Sequence, residues 1–271
     1  MRAGTNWRPS KVVRVNRVLE SSTRPLHAVT DAGPALVKYM GNRAGNDALI
    51  GELLAAELAT EIGLHTPDFA VVSIPSIPTS DPLLTIDAGP AFFSRWEQAQ
   101  SLSPNSSLLA NLREPHHIPL LVTFDTWIRN KDRFADDFDG VNMNYDNILF
   151  QADKRKTRLL VIDHSHAFAE TTLEDEINDE WISEENVYGL FNEFSPMLTR
   201  PAIRSAVSAI CRLESDKIEA ICRSVPAVWG MTPDLATRLS RCLVERAKLM
   251  ERWLLGKLFA QMELDLEGKE A

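Results

Sequence analysis

Cysteine is scarce in this chain: Cys211, Cys222 and Cys242 are the only three in 271 residues, and none stands in CxxC spacing. All three fall in segments of helical character, which reads as reduced core thiols rather than a disulfide framework or a cysteine-ligated zinc site. Basic charge is also short. With 29 Lys and Arg against 38 Asp and Glu, the formal net charge is −9, without the basic surplus of a general nucleic-acid binder. No apolar run approaches the roughly eighteen residues that suggest a membrane span, and "MRAGTNWRPSKVVRV" lacks the pattern of a signal peptide. The expectation is a cytoplasmic protein with no membrane partner and no direct contact with nucleic acid. Internal repeats and low-complexity segments are absent as well.

What is present is a 44% hydrophobic chain of a length that suits one large domain or two lobes. "KVVRVNRVLE" and "LHAVTDAGPALVKYMG" read as antiparallel strands, with turns at Ser21 to Pro25 and at Asp31 to Gly33. From Asn46 the period changes. Leu49, Leu53, Ala56 and Ile62 recur at helical intervals and Gly63 supplies a stop, which predicts one helix over 46–62. "DFAVVSI" and "GPAFFSRW" return to strand character on either side of a proline-broken loop.

Beyond residues 97–107 the pattern is mainly helical. "PHHIPLLVTFDTWIRN" places Leu120, Leu121, Phe124, Trp127 and Ile128 on one stripe, while "NILF" and "TRLLVIDH" suggest a short hairpin. An acidic connector (Glu170 to Glu185) leads to further helices, the last from about Pro233 to Leu264. The fold class is α+β, with a small antiparallel sheet carrying one helix at 1–97 and a larger helical lobe at 98–271. That order excludes a doubly wound parallel sheet and permits a cleft between two lobes.

Three polar residues stand where apolar elements end: Asp132 after the helix, Asn147 before "ILF", and Asp163 after "LLVI". A carboxylate that orients a hydroxyl, with an amide and a second carboxylate for Mg²⁺, suits phosphoryl transfer. Lys38 lies inside the apolar "ALVKYM", where a lysine on an inner face is costly unless paired. Glu52, on the one helix of the first lobe, is its natural partner.

The order of "ALVKY", "GELLAAELATEIGLHTPDFAVV", "FFSRW", "FDTWIRNKDR", "NILF" and "LLVIDHSHAF" resembles the HipA-like serine/threonine protein kinases, over residues 11 to about 170. The resemblance implies that Lys38 binds ATP phosphates, Glu52 orients it, Asp132 is the catalytic base, and Asn147 and Asp163 hold Mg²⁺. It puts adenine against the backbone of Phe93, Ser94 and Arg95. Some relatives autophosphorylate a serine in the loop after the first strand, which makes Ser21 and Ser22 candidate sites. The implied partner is a protein substrate, such as a translation component, with an antitoxin-like regulator.

Two features depart from the family pattern. Phe134 stands where a His is usual, and Asn147 is separated from Asp132 by what reads as an insertion over 135–146, with Asn142 and Asn144 as rival ligands. "DHS" at 163–165 also replaces Asp-Phe-Gly. A small-molecule or lipid phosphotransferase and a nucleotide-binding pseudokinase therefore stand as alternatives. His116 and His117 read as surface or capping residues. His164 and His166, expected to point the same way from a strand end, do not supply a zinc site by themselves. Asp136, Asp137 and Asp139 read as a solvated insertion tip.

Overall fold

The valine-rich N-terminal segments pair as β1 (Val12–Val18), β2 (Leu26–Thr30) and β3 (Gly33–Lys38). In the β2–β3 turn, Thr30 Oγ1 accepts from Ala32 N at 3.0 Å and donates to Gly33 O at 2.7 Å. The chain then forms helix α1 (Gly45–Glu61), β4 (Phe69–Ile74) and β5 (Gly89–Arg95). The five strands make one antiparallel sheet in the order β1-β2-β3-β5-β4. This computed structural model describes residues 7–78, 81, 84–103, 107–133 and 145–267. Phe134, Asp136, Asp137, Asp139, Asn142 and Asn144 lie outside the described residues.

A second, three-stranded sheet joins β6 (Gln100–Ser101), β7 (Ile148–Asp153) and β8 (Lys156–Val161). The β7–β8 pair is the expected hairpin, with Ile148 opposite Val161. Helix α2 (His117–Ile128) precedes it. The acidic connector is more ordered than its sequence suggested, since it holds two short helices, α3 (Leu173–Glu176) and α4 (Asp179–Ser183). Helices α5 (Arg200–Cys211), α6 (Ser215–Arg223) and α7 (Pro233–Glu267) complete the chain. Among the described residues no helix is long and apolar enough to cross a membrane.

Two apolar clusters hold these layers. One joins Trp7 and Tyr39 to the inward faces of the first sheet, including Leu26, Val37 and Phe93. The other runs from α1 through α2 to α7. Each large side chain buried there contributes about 1.5–3 kcal/mol of transfer free energy. The apolar stripe expected on α2 is buried, and so is every other residue from His117 to Ile128. Contacts with α5 and α7 explain this, because a helix enclosed by neighbours buries all its faces.

The C-terminal end of α2 is fixed with unusual care. Arg129 takes a left-handed φ of 53°, and the buried Arg246 guanidinium donates to the carbonyls of Thr126, Trp127, Trp181 and Glu184. A cation at that end satisfies carbonyls that have no partner within the helix and suits the helix dipole. The loop that follows, with Asp132, therefore leaves from a rigid point. All three cysteines are free thiols, with Cys222 and Cys242 buried as expected and Cys211 partly so.

Candidate active site

Lys38 is the last residue of β3, and only 7% of it is exposed. Its Nζ donates to Glu52 Oε1 at 2.6 Å, Asp163 Oδ1 at 2.7 Å and Ser165 Oγ at 2.7 Å. Three elements distant in sequence thus converge on one ammonium. Gly51 allows the approach: a Cβ there would stand 2.7 Å from His164 O, so any side chain would push α1 off the 163–165 segment. With α1 so close, Glu52 Oε1 also accepts from His164 N at 2.8 Å.

The electrostatics follow from this crowding. Burial alone would lower the Lys38 pKa, yet Asp163 and Glu52 hold it above the ordinary lysine value. Burial pushes Glu52 up, with Lys38 pulling against it. For Asp163 burial acts upward too, but the Lys38 ammonium and hydrogen bonds from Lys38 and Ser165 hold it well below the usual carboxylate range. Asp163 also sits at φ 57°, a left-handed backbone that a β-carbon disfavours, and that turn ends β8 and presents its carboxylate to Lys38.

Asp132 lies in a short 3-10 turn after α2, and the same cavity, of about 550 Å³, is lined by Lys38, Glu52, Asp132, Asn147 and Asp163. Burial raises the Asp132 carboxyl to about 6, while nearby His166 acts downward and Asp163 upward. His166 Nε2 stands 4.0 Å from Asp132 Oδ1 and 3.2 Å from Ser22 Oγ. Ser21 and Ser22, in the β1–β2 loop, also line the cavity.

Asn147, 5% exposed, has no partner for its buried Nδ2 among the described residues. Lys38 and Ser165 both donate to Asp163 Oδ1. Because amide orientation is set by its partners, Asn147 can turn its oxygen into the cavity. One amide and one carboxylate oxygen, completed by substrate phosphates and water, match the habit of Mg²⁺. The donor set therefore fits that ion.

Of the stretch expected to meet adenine, two residues of three line the cavity. Phe93 is fully buried on the far side of the sheet, and residues 93–95 pair with β3 and β4. Arg95 N donates to Asp68 O at 2.7 Å and Trp96 N to Pro34 O at 3.0 Å. Ser94 and Arg95 do line the cavity, together with Trp96, Glu97 and Ala99 just beyond the strand. Leu36, Phe69, Phe92 and Leu149 add apolar walls.

Several contributors were missed from sequence. Ser165 bridges Lys38, Glu52 and Asp163. His164 and His166 do not point the same way, because the backbone leaves the strand at Val161: His164 is buried with its pKa lowered by burial, its ring edge-on to Phe124, whereas His166 is partly exposed. Arg133, 1% exposed, donates to Asp125 Oδ1 at 2.6 Å, to Asn147 O at 3.0 Å and to Ile162 O, and so links the three segments that carry Asp132, Asn147 and Asp163. Asp125 also accepts from Asn130 Nδ2 at 3.0 Å. A polar Asp in so apolar a helix was the available signal. Gly189 (φ +70°) is the second required glycine, since its Cβ would meet Asp125 Oδ2 at 2.7 Å. Asp125→Ala should cost about 3–5 kcal/mol in urea unfolding, because Arg133 would be left buried and unpaired.

A family model described as HipA-like kinase matches residues 12–255. The chain belongs to the HipA-like kinase family. This HipA-like kinase is similar in structure to the proinflammatory kinase CtkA of Helicobacter pylori, with TM-score 0.58 at 12% identity, covering 95% of this chain and 97% of that one. It is also similar to a chain of the Shewanella oneidensis MR-1 toxin–antitoxin complex of HipA, HipB and operator DNA, with TM-score 0.46 at 11% identity, covering 91% of this chain and 66% of that one. No curated protein sequence matches it. The two-lobed kinase-like fold and the phosphotransferase class expected from sequence are therefore those of the protein.

Proposed function

We propose that this HipA-like kinase transfers the γ-phosphate of ATP to Ser or Thr of a protein, with Mg²⁺, and that its lobes divide as 1–97 and 98–271. The observation that carries this reading is the Lys38 ammonium, 2.6 Å from Glu52 and 2.7 Å from Asp163 in a cavity shared with Asp132 and Asn147. Phosphoryl transfer asks a protein mainly for position and countercharge, and these residues provide both.

In this reading Lys38 holds the ATP phosphates and Glu52 keeps it aimed. Asp132 accepts a hydrogen bond from the substrate hydroxyl, orients its oxygen for in-line attack and takes its proton. Asn147 and Asp163 hold Mg²⁺, which when bound neutralises charge on the phosphate oxygens. Leu36 and Leu149 enclose the base, and the chain from Ser94 and Arg95 to Ala99 reads its edge. Ser21 and Ser22 are proposed sites of autophosphorylation, a reading their place in the cavity lining supports. A toxin-like action on a translation component, restrained by an antitoxin-like partner, is proposed on the family resemblance alone, as is a cytoplasmic location.

Incubation of the full chain with radiolabelled ATP, Mg²⁺ and a cell lysate, beside Asp132→Ala, tests the central reading. Label on a protein band that the variant fails to produce is the expected result. Acid-stable phosphoserine or phosphothreonine in that band would establish the acceptor class. Label confined to lipid or small molecules would favour the other phosphotransferase reading, and nucleotide binding without any transfer would mark a pseudokinase.

A further inference from the structure

Another cluster lies where the α1–β4 connection meets the start of α2. His65 Nε2 stands 2.9 Å from Glu114 Oε2, and His117 Nδ1 stands 3.8 Å from the same oxygen. One donor atom from each of the three residues lies within 4.8 Å of the others. The His65 and His117 rings meet edge-on, centroids 4.9 Å apart.

His117 is the informative member. It is 4% exposed, yet its buried Nδ1 has no hydrogen-bond partner among the described residues. A buried polar atom without a partner is costly and calls for an explanation such as an ion. Its expected part as a surface or capping residue does not explain it: the side chain is enclosed, and none of the helix's caps uses it. His65 and Glu114 are half-buried, which leaves the cluster open to solvent on one side.

We propose that His65, Glu114 and His117 form a binding site for Zn²⁺, with water as the fourth ligand. Two imidazoles and one carboxylate are a ligand set zinc uses, and its donors stand about 3.3 Å apart in a tetrahedral site. The observed separations of 2.9 and 3.8 Å bracket that value. The protonation states agree: burial first, then the neighbouring histidines His116 and His65, lower His117 to about 4, so it is neutral at pH 7. Burial acts upward on Glu114, but the His65 hydrogen bond holds it below its ordinary value, so it is ionised. Arg158 is the nearby cation that opposes binding, and it is paired with Asp153 at 3.2 Å.

Such an ion ties the His65 loop to α2. His65 O also accepts from Val161 N at 2.9 Å, and the next residues, Thr66 and Pro67, line the nucleotide cavity. Bound zinc therefore braces one wall of that cavity, and folded chains gain stability as zinc rises.

The test is calorimetric titration of Zn²⁺ into the chelator-stripped full chain in excess Mg²⁺, with Co²⁺ as an optical probe. The expected result is saturable binding and an intense visible Co²⁺ band of the tetrahedral type. His65→Ala and Glu114→Gln, at half-buried positions that tolerate change, each weaken binding by more than the roughly ten- to hundredfold that loss of an outer-shell partner costs. His117→Ala does the same if circular dichroism shows it folded. Asp163→Asn keeps wild-type zinc affinity. Absence of saturable binding, unchanged affinity in His65→Ala and Glu114→Gln, or loss in Asp163→Asn overturns the proposal.

Discussion

Asp132→Asn is expected to lower kcat by about 10²–10⁴-fold, the usual contribution of a positioned general base, while leaving the fold intact. Asn matches Asp in size, and the site already penalises the charge it removes, since burial raises Asp132 to about 6. Urea unfolding should therefore show equal or slightly greater stability. The same shift has a kinetic signature. A base must be ionised to work, so kcat/KM, which reports the free enzyme, should fall about tenfold per pH unit below about 6. That acid limb should vanish in the residual activity of Asp132→Asn. A variant retaining more than a tenth of wild-type kcat would remove Asp132 from its proposed role.

The second large effect is expected at Lys38. Lys38→Met should reduce kcat/KM for ATP by at least about 10²-fold, on the scale of losing one charge-stabilising donor. Unlike the Asp132 variant it should also destabilise the fold. Glu52 and Asp163 both contact Lys38 Nζ, so its loss leaves two carboxylates facing each other around Ser165. Breaking a buried pair costs about 3–5 kcal/mol near pH 7. The sign of its pH dependence is fixed by linkage. Without Lys38 the folded-state pKa of the two carboxylates rises above the unfolded value, so folding favours their protonated forms. The variant should recover stability toward about pH 5 and lose it as pH rises. Equal stability of wild type and Lys38→Met across that range would show that the contact network carries no net energy.

These two experiments separate parts of the site that the linear pattern treated alike. Lys38 and Glu52 could be paired from sequence because a lysine inside an apolar strand demands a counter-charge. Asp163 could be placed because it ends an apolar run at an obvious boundary. Ser165 could not, since a serine after a strand has many ordinary uses. Arg133 was equally hidden: its role is to donate to carbonyls of Asn147 and Ile162, and backbone acceptors leave no trace in residue identity.

Misplaced expectations have the same origin. Of residues 93–95, Phe93 alone belongs to the apolar cluster of the first sheet, while Ser94 and Arg95 line the cavity. His116, exposed at the N-cap of α2, fits the surface or capping reading, but His117 is enclosed, which nothing nearby in sequence signals. His65, 52 positions before His117 by their numbers, supplies the ring that turns a helix start into a candidate metal cluster.

Periodicity and turn chemistry were enough to place the antiparallel strands, α1, the β7–β8 hairpin and the long last helix, because those elements are set by which neighbours two to four positions away are apolar. The order of the elements then carried the family resemblance and with it the kinase class. Which groups are dry, paired or orphaned depended also on contacts between residues far apart in the chain, such as His65 with Glu114, 49 positions apart, and Lys38 with Asp163, 125 apart. Folding alone brings such groups together, and desolvation then shifts their protonation. For that reason the raised Asp132, the threefold hold on Lys38 and the unpartnered His117 emerged only once the chain was closed.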